Sequence, residues 1–329
     1  MSPAARRLPE VDGLKAAGIV TVVLIHALRA PWDPEISGLE LWLAQVTHFG
    51  VPAFLCASGF LYASGPTDRA TTWRRLRRIL LPYLVASAVA QLLRHGADLP
   101  YPGDAPLSDL LLGSSLSHYY YVPVITVLVV LTPGIAQLPR PALVAGTAVL
   151  LAGQWLVEAY SVGRISFYWQ LRNPLLWWGY FMLGWLARLH EASLRAWLSP
   201  RRRAVVVALV ATVVSLAVVG AFAERVPRLL ATSASWLENY AILALIAGVA
   251  SCASALPRPL RVLSDATYAM YLYHLWFMLP MQKLFPAPPG RADWQAILLP
   301  WIAGVAGSLC LVAAGRRLLG PRSRDWIGA

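Results

Sequence analysis

Ten stretches of this sequence, at approximately 14–30, 41–63, 79–95, 118–138, 141–159, 173–188, 204–222, 236–254, 263–283 and 295–314, are long, apolar and nearly free of charge. A bilayer's hydrocarbon core, crossed by about 17–25 apolar residues in a helix, is the solvent that suits such a pattern. Lipid offers no partners to backbone N–H and C=O groups, so each stretch must satisfy its own as a helix. The expected fold is an all-α polytopic integral membrane protein, a bundle of about ten transmembrane helices. Charge supports this, because 13% of the residues are charged and a soluble domain carries about 25%.

Ten crossings place both termini on one side. In that layout 20 of the 28 Lys and Arg residues lie on the side of the termini. Excess Lys and Arg mark the cytoplasmic face, so both termini are expected in the cytoplasm. The net charge of +12 then belongs to basic loops at a membrane surface and not to a nucleic-acid interface. Arg6, Arg7 and Lys15 precede the first apolar run as in a secretory signal, but no small-x-small cleavage site follows, so the segment is expected to stay as a helix. The outer loop at about 96–117, rich in Pro, Gly and Asp, is expected to cap the outer face. The layout divides the chain into a membrane domain, 8–318, and a short cytoplasmic tail, 319–329. Cys56, Cys252 and Cys310 fall in separate runs without paired spacing, which suggests buried thiols. The six histidines are dispersed without ligand spacing, so no metal site is expected.

Chemistry concentrates first in DGLKAAGIVTVVLIHALRAPW, residues 12–32. Ten residues separate Lys15 from His26, so eleven steps make three helical turns plus a small remainder and their side chains share a face. His26 lies roughly 16 Å further along the axis. Asp12 falls on the same stripe. Lys15 suits either a snorkelling anchor or a charge facing a site. Ionisable side chains inside spans are costly and usually functional, which singles out His26. Imidazole is also the side chain best suited to moving a proton near neutral pH.

Three further segments stand out. WRRLRRILLPY, residues 73–83, brings four arginines to the start of the third span, where they serve positive-inside topology or hold an anion, which the guanidinium fork binds with two hydrogen bonds. In HFGVPAFLCASGFLYASG, residues 48–65, Gly59 and Gly65 allow close helix approach and Ser58 can hydrogen-bond across it. In SDATYAMYLYHLWFM, residues 264–278, Ser264, Thr267, Tyr268, Tyr271 and His274 make a polar, aromatic stripe within a span.

Taken together and in order, these segments, with HYYYVPVITVLVVLTP and WWGYFMLGWLAR, resemble the acyltransferase 3 family of bacterial membrane proteins, which O-acylate sugars and other acceptors. The resemblance covers nearly the whole chain. It implies catalytic roles for His26, Lys15 and Asp12, with His26 as general base or, alternatively, as the carrier of a transient acyl group. It implies that acyl-CoA, with acetyl the favoured acyl group, is the donor substrate and docks its phosphates at Arg75 and Arg78. Ser58, Tyr121, Tyr271 and His274 would line the substrate site. No permanently bound cofactor is implied; the acceptor would be a sugar or glycan, and the location a bacterial plasma membrane. Two departures stand out: Lys15 replaces the commoner arginine, and Tyr120–Tyr121 replaces the usual Trp-Phe. A glycan transporter without bond chemistry is the alternative, expected to show Gly- or Pro-broken spans at matching places in two halves; Pro52, Pro82, Pro123 and Pro174 bear on it. A non-catalytic subunit of a glycan-synthesis complex is a third.

Overall fold

The computed structural model describes residues 7–30, 33–96, 106–161, 164–221, 227–253 and 255–329. Among them every regular element is helical. In order they are α1 (Pro9–Ala27), α2 (Gly38–Val46), α3 (Gly50–Ala63), α4 (Arg69–Gly96), α5 (Pro106–Leu112), a 3₁₀ turn (Ser117–Tyr120) leading into α6 (Tyr121–Ile135), α7 (Arg140–Ser161), α8 (Phe167–Arg172), α9 (Pro174–Leu189), α10 (Glu191–Ala221), α11 (Arg228–Ala250), α12 (Arg258–Leu284), α13 (Trp294–Leu319), a second 3₁₀ turn (Gly320–Arg322) and α14 (Ser323–Trp326).

Helix occupies each of the ten apolar stretches, with departures from the expected bounds; α4 and α11, for example, begin at Arg69 and Arg228, ahead of the runs expected from 79 and 236. The stretch at 41–63 is two helices and not one, because the backbone turns at Thr47–Phe49. There the Thr47 hydroxyl donates back to the Leu43 and Ala44 carbonyls. Helix α10 begins at Glu191, well ahead of the run expected from 204, and continues through Pro200. Of the expected outer cap at 96–117, residues 97–105 lie outside the described residues; α5 and the 3₁₀ turn occupy much of the rest.

Six segments are long and apolar enough to cross a membrane by length and composition: Gly38–Ala63, Ser117–Ile135, Arg140–Tyr160, Glu191–Gly220, Leu229–Ala250 and Trp294–Trp326. Among the other long helices, α9 has only 16 residues, while α1, α4 and α12 carry charged residues. The two groups are placed differently. The most apolar stretch of α10 has no buried residue, and Val207 and Val214 stand open on it. A wholly apolar exposed helix is stable only where the solvent is itself apolar. Helix α1, in contrast, is packed on by α3, α11, α12 and α13. Cys252 and Cys310 correct the expectation of buried thiols: both lie exposed, and only Cys56 is half-buried.

Glycine sets how closely the inner helices approach. A Cβ on Gly59 of α3 would lie 1.9 Å from the Phe181 carbonyl oxygen, and one on Gly184 of α9 would lie 1.9 Å from that of Cys56. Two backbones thus touch through facing glycines, the small-residue contact that membrane helices use in place of a hydrophobic drive. The expectation for Gly59 holds. Gly18 and Gly50 play a similar part between α1 and α3, since a Cβ on Gly18 would meet Phe54 and the Gly50 carbonyl. Helix α3 is therefore clamped on both sides. Gly59→Ala must push backbone from backbone and is expected to cost about 3 kcal/mol, read as a lowered melting temperature of the purified protein in detergent.

Candidate active site

Pro9 at the head of α1 starts the helix, and Lys15 and His26 emerge on one face as their spacing requires. Lys15 lines a cavity of about 230 Å³ together with Ser58 of α3, Tyr121 of α6 and Tyr271 of α12. Four residues singled out by sequence thus meet in one space. The Lys15 amine has no hydrogen bond or ion pair among the described residues and lies in the field of Asp12 and Asp265. It is a charge facing a cavity, which the anchor role did not require.

Asp12 is engaged at the rim. It accepts a 2.6 Å hydrogen bond from Ser264 and lies 3.8 Å from Arg7, which also binds Asp265 at 2.7 Å. The hydrogen bond and charge of Asp265 hold the Arg7 guanidinium above its ordinary range. This cluster joins α1 to α12 at the mouth of the cavity, more than three helical turns from His26.

The four arginines of residues 73–83, on α4, divide into two pairs. Arg74 bonds Thr71 at 2.8 Å and Arg77 reaches Asp325 at 3.5 Å. The Arg75 guanidinium sits 4.4 Å over the ring of Tyr62, a cavity residue, and its Nη1 is buried without a partner. Arg78, three residues on and on the same side of the helix, is exposed and has no partner among the described residues. Arg75 also donates through Nη2 to the Tyr62 carbonyl at 3.5 Å, so in the pair the resemblance selects the unspent capacity is the Nη1 of Arg75 and the guanidinium of Arg78.

His26, in the last turn of α1, does not line the cavity. Its ring lies 5.2 Å from that of His274 and 5.6 Å from that of His118, and the latter two rings are 4.6 Å apart. This corrects the reading of the histidines as dispersed: three helical segments far apart in sequence bring three imidazoles together. Even so, no group of three His, Cys, Asp or Glu among the described residues is arranged to hold a metal ion. Tyr271 connects the two regions. Its ring is 5.3 Å from that of Tyr121 on the cavity side and 5.1 Å from that of His118 on the other, and its hydroxyl donates to the His118 carbonyl. The stripe on α12 therefore serves both regions, Ser264 and Tyr271 at the cavity and His274 among the histidines.

Sequence reasoning passed over Tyr62, Asp265 and His118. The signal for His118 was an ionisable side chain at the head of an apolar run. It is 1% exposed.

A family model described as an acyltransferase domain, that of the acyltransferase 3 family, matches residues 8–316 of the 329-residue chain. The chain belongs to that family. No curated protein and no solved structure matches it.

Tyr271→Phe removes the only hydroxyl recorded on the His118 carbonyl among the described residues. Loss of that hydrogen bond is expected to lower stability by about 1 kcal/mol, measured by thermal unfolding beside the native protein.

Proposed function

We propose that this protein is an acyl-CoA-dependent O-acyltransferase of a bacterial plasma membrane, moving an acyl group, acetyl first among candidates, to a hydroxyl of a sugar or glycan. The observation that carries this reading is the cavity floored by Tyr121 and Tyr271, with Lys15 at its rim and three histidines behind that floor. In the proposed layout ten helices cross the bilayer, both termini are cytoplasmic, residues 8–318 form the membrane domain and 319–329 the tail.

The anionic end of the donor docks at Arg75 and Arg78, whose free N–H groups suit phosphate oxygens. Lys15 and Asp12 shape the mouth. The thioester extends along the cavity past Ser58, Tyr121 and Tyr271 toward His26. His26 takes the proton of the acceptor hydroxyl as its oxygen bonds to the acyl carbon, the carbon–sulfur bond breaks, and coenzyme A leaves as the thiolate. General-base catalysis of this kind is typically worth about 10² to 10⁴ in rate. The transporter alternative draws less support. Pro52 and Pro123 lie in the first turns of α3 and α6, and Pro174 opens α9, positions at which proline does not break a helix; Pro82 lies inside α4, which continues through it.

His26→Ala is expected to lower release of coenzyme A from acetyl-CoA by about 10² to 10⁴ while the protein stays folded in lipid; near-native release would remove His26 from the chemistry. Arg75→Ala with Arg78→Ala is expected to raise KM for acyl-CoA about tenfold with kcat little changed, the mark of lost uniform binding. A fall in kcat at unchanged KM would contradict the docking role.

A further inference from the structure

The reading above uses one imidazole, yet three meet at the inner end of α1. Their nitrogens are in different states. The Nδ1 of His274 lies 3.0 Å from the Met270 carbonyl oxygen and 2.9 Å from that of Tyr271. Carbonyl oxygens only accept, so this Nδ1 carries the hydrogen and Nε2 keeps a lone pair. That Nε2 is buried and has no partner. His274 is thus a fixed, neutral base.

His118 is as deeply buried but is not tethered. Neither ring nitrogen has a hydrogen bond; the Tyr271 and Leu272 carbonyls lie beside the ring without meeting hydrogen-bond geometry. Its main chain, in contrast, is held by the Tyr271 hydroxyl. Ring packing against Tyr119, Tyr271 and His274, at 4.4, 5.1 and 4.6 Å between centroids, holds the imidazole in place of hydrogen bonds, so reorienting it costs packing and no hydrogen bond. The titratable groups facing it are His26, His274, Tyr119 and Tyr271. A ring kept only to fill this space would serve better as phenylalanine, which leaves no buried nitrogen unmet.

The surroundings of His26 show what an untethered imidazole can do there. No ion pair joins any of the three histidines to a carboxylate among the described residues. A proton taken by His26 has no counter-charge in contact, unlike the arrangement in which an acid orients and steadies the base. The nearby bases are the other two rings, at 4.6–5.6 Å between centroids. At that spacing, rotation of an untethered ring brings nitrogens of neighbouring rings to a hydrogen-bond distance of about 3 Å.

We propose that His118 is a proton-holding residue that acts through His26, sharing with His274 the proton that His26 removes from the acceptor. This inference rests on the acyltransferase reading. The acceptor O–H bond breaks and its proton passes to His26, then is shared with His118 and His274 through N–H···N contacts. The acceptor oxygen bonds to the acyl carbon, and the thioester C–S bond breaks with its electron pair on sulfur. The proton returns through His26 to the thiolate, giving free coenzyme A thiol, and all three rings end neutral. His118 touches neither substrate in this scheme; it lowers the barrier by spreading a charge that a site walled by apolar helices solvates poorly.

The test uses the full chain in lipid with acetyl-CoA and a mixed oligosaccharide pool, following released thiol, for native protein, His26→Ala, His118→Gln and His118→Phe. Glutamine keeps hydrogen-bonding capacity without titrating, and phenylalanine keeps the ring. Both are expected to lower kcat at least about tenfold with KM for acetyl-CoA within about twofold and the melting temperature unchanged. Native kcat in either His118 variant overturns the proposal. Joint loss of kcat, affinity and melting temperature also overturns it, by making His118 a packing element. A native chain that releases no thiol from acetyl, succinyl or longer acyl-CoA donors brings down the acyltransferase reading first, and this proposal with it.

Discussion

A lysine near one end of a helix and an imidazole near the other, on the same face, cannot both lie against hydrocarbon, and the architecture follows from keeping that face of α1 enclosed. Burying an unpaired charge in an apolar medium is among the most costly things a fold can do. Helix α1 is accordingly wrapped by α3, α11, α12 and α13. Its polar face opens onto the cavity at Lys15 and onto the histidines at His26. Helices without such cargo, α10 above all, can turn bare valines outward.

Enclosure depends on backbone proximity. Facing glycines bring α3 within contact of α9 on one side and of α1 on the other, which places Ser58 and Tyr62 beside Lys15 in one cavity. At the mouth, Ser264, Asp12, Arg7 and Asp265 form a chain of polar contacts between α1 and α12. Deeper in, Tyr271 spans the step from cavity to histidines. Close packing thus sets α3 against α1 and α9, polar ties set α1 against α12, and α1 and α12 carry most of the candidate site.

Much of this was legible in the residues. Hydropathy located every long helix, because a backbone in lipid has few choices besides helix. Helical periodicity put Lys15 and His26 on one face, and spacing on α12 put Tyr271 and His274 together. The break at Thr47–Phe49 was not read from the sequence, since it holds neither proline nor a gap in the apolar run longer than Thr47–His48, and its Thr47 hydroxyl bonds form only in the folded turn. Nor was the division of the arginines, which turns on whether Thr71, Asp325 or Tyr62 stands within reach. His118 was hidden for the same reason: nothing local distinguishes an imidazole at a span's edge from one folded inward.

The sequence by itself determined the solvent, the helices and the face of α1 that bears chemistry, because hydropathy and the 3.6-residue period are properties of a single segment. Only the tertiary structure decided which distant side chains became neighbours. His26, His118 and His274 lie on three segments that no periodicity relates, and their meeting depends on helix packing angles and glycine contacts. Such contacts are pairwise properties of folded surfaces, so they come into being only when the helices pack.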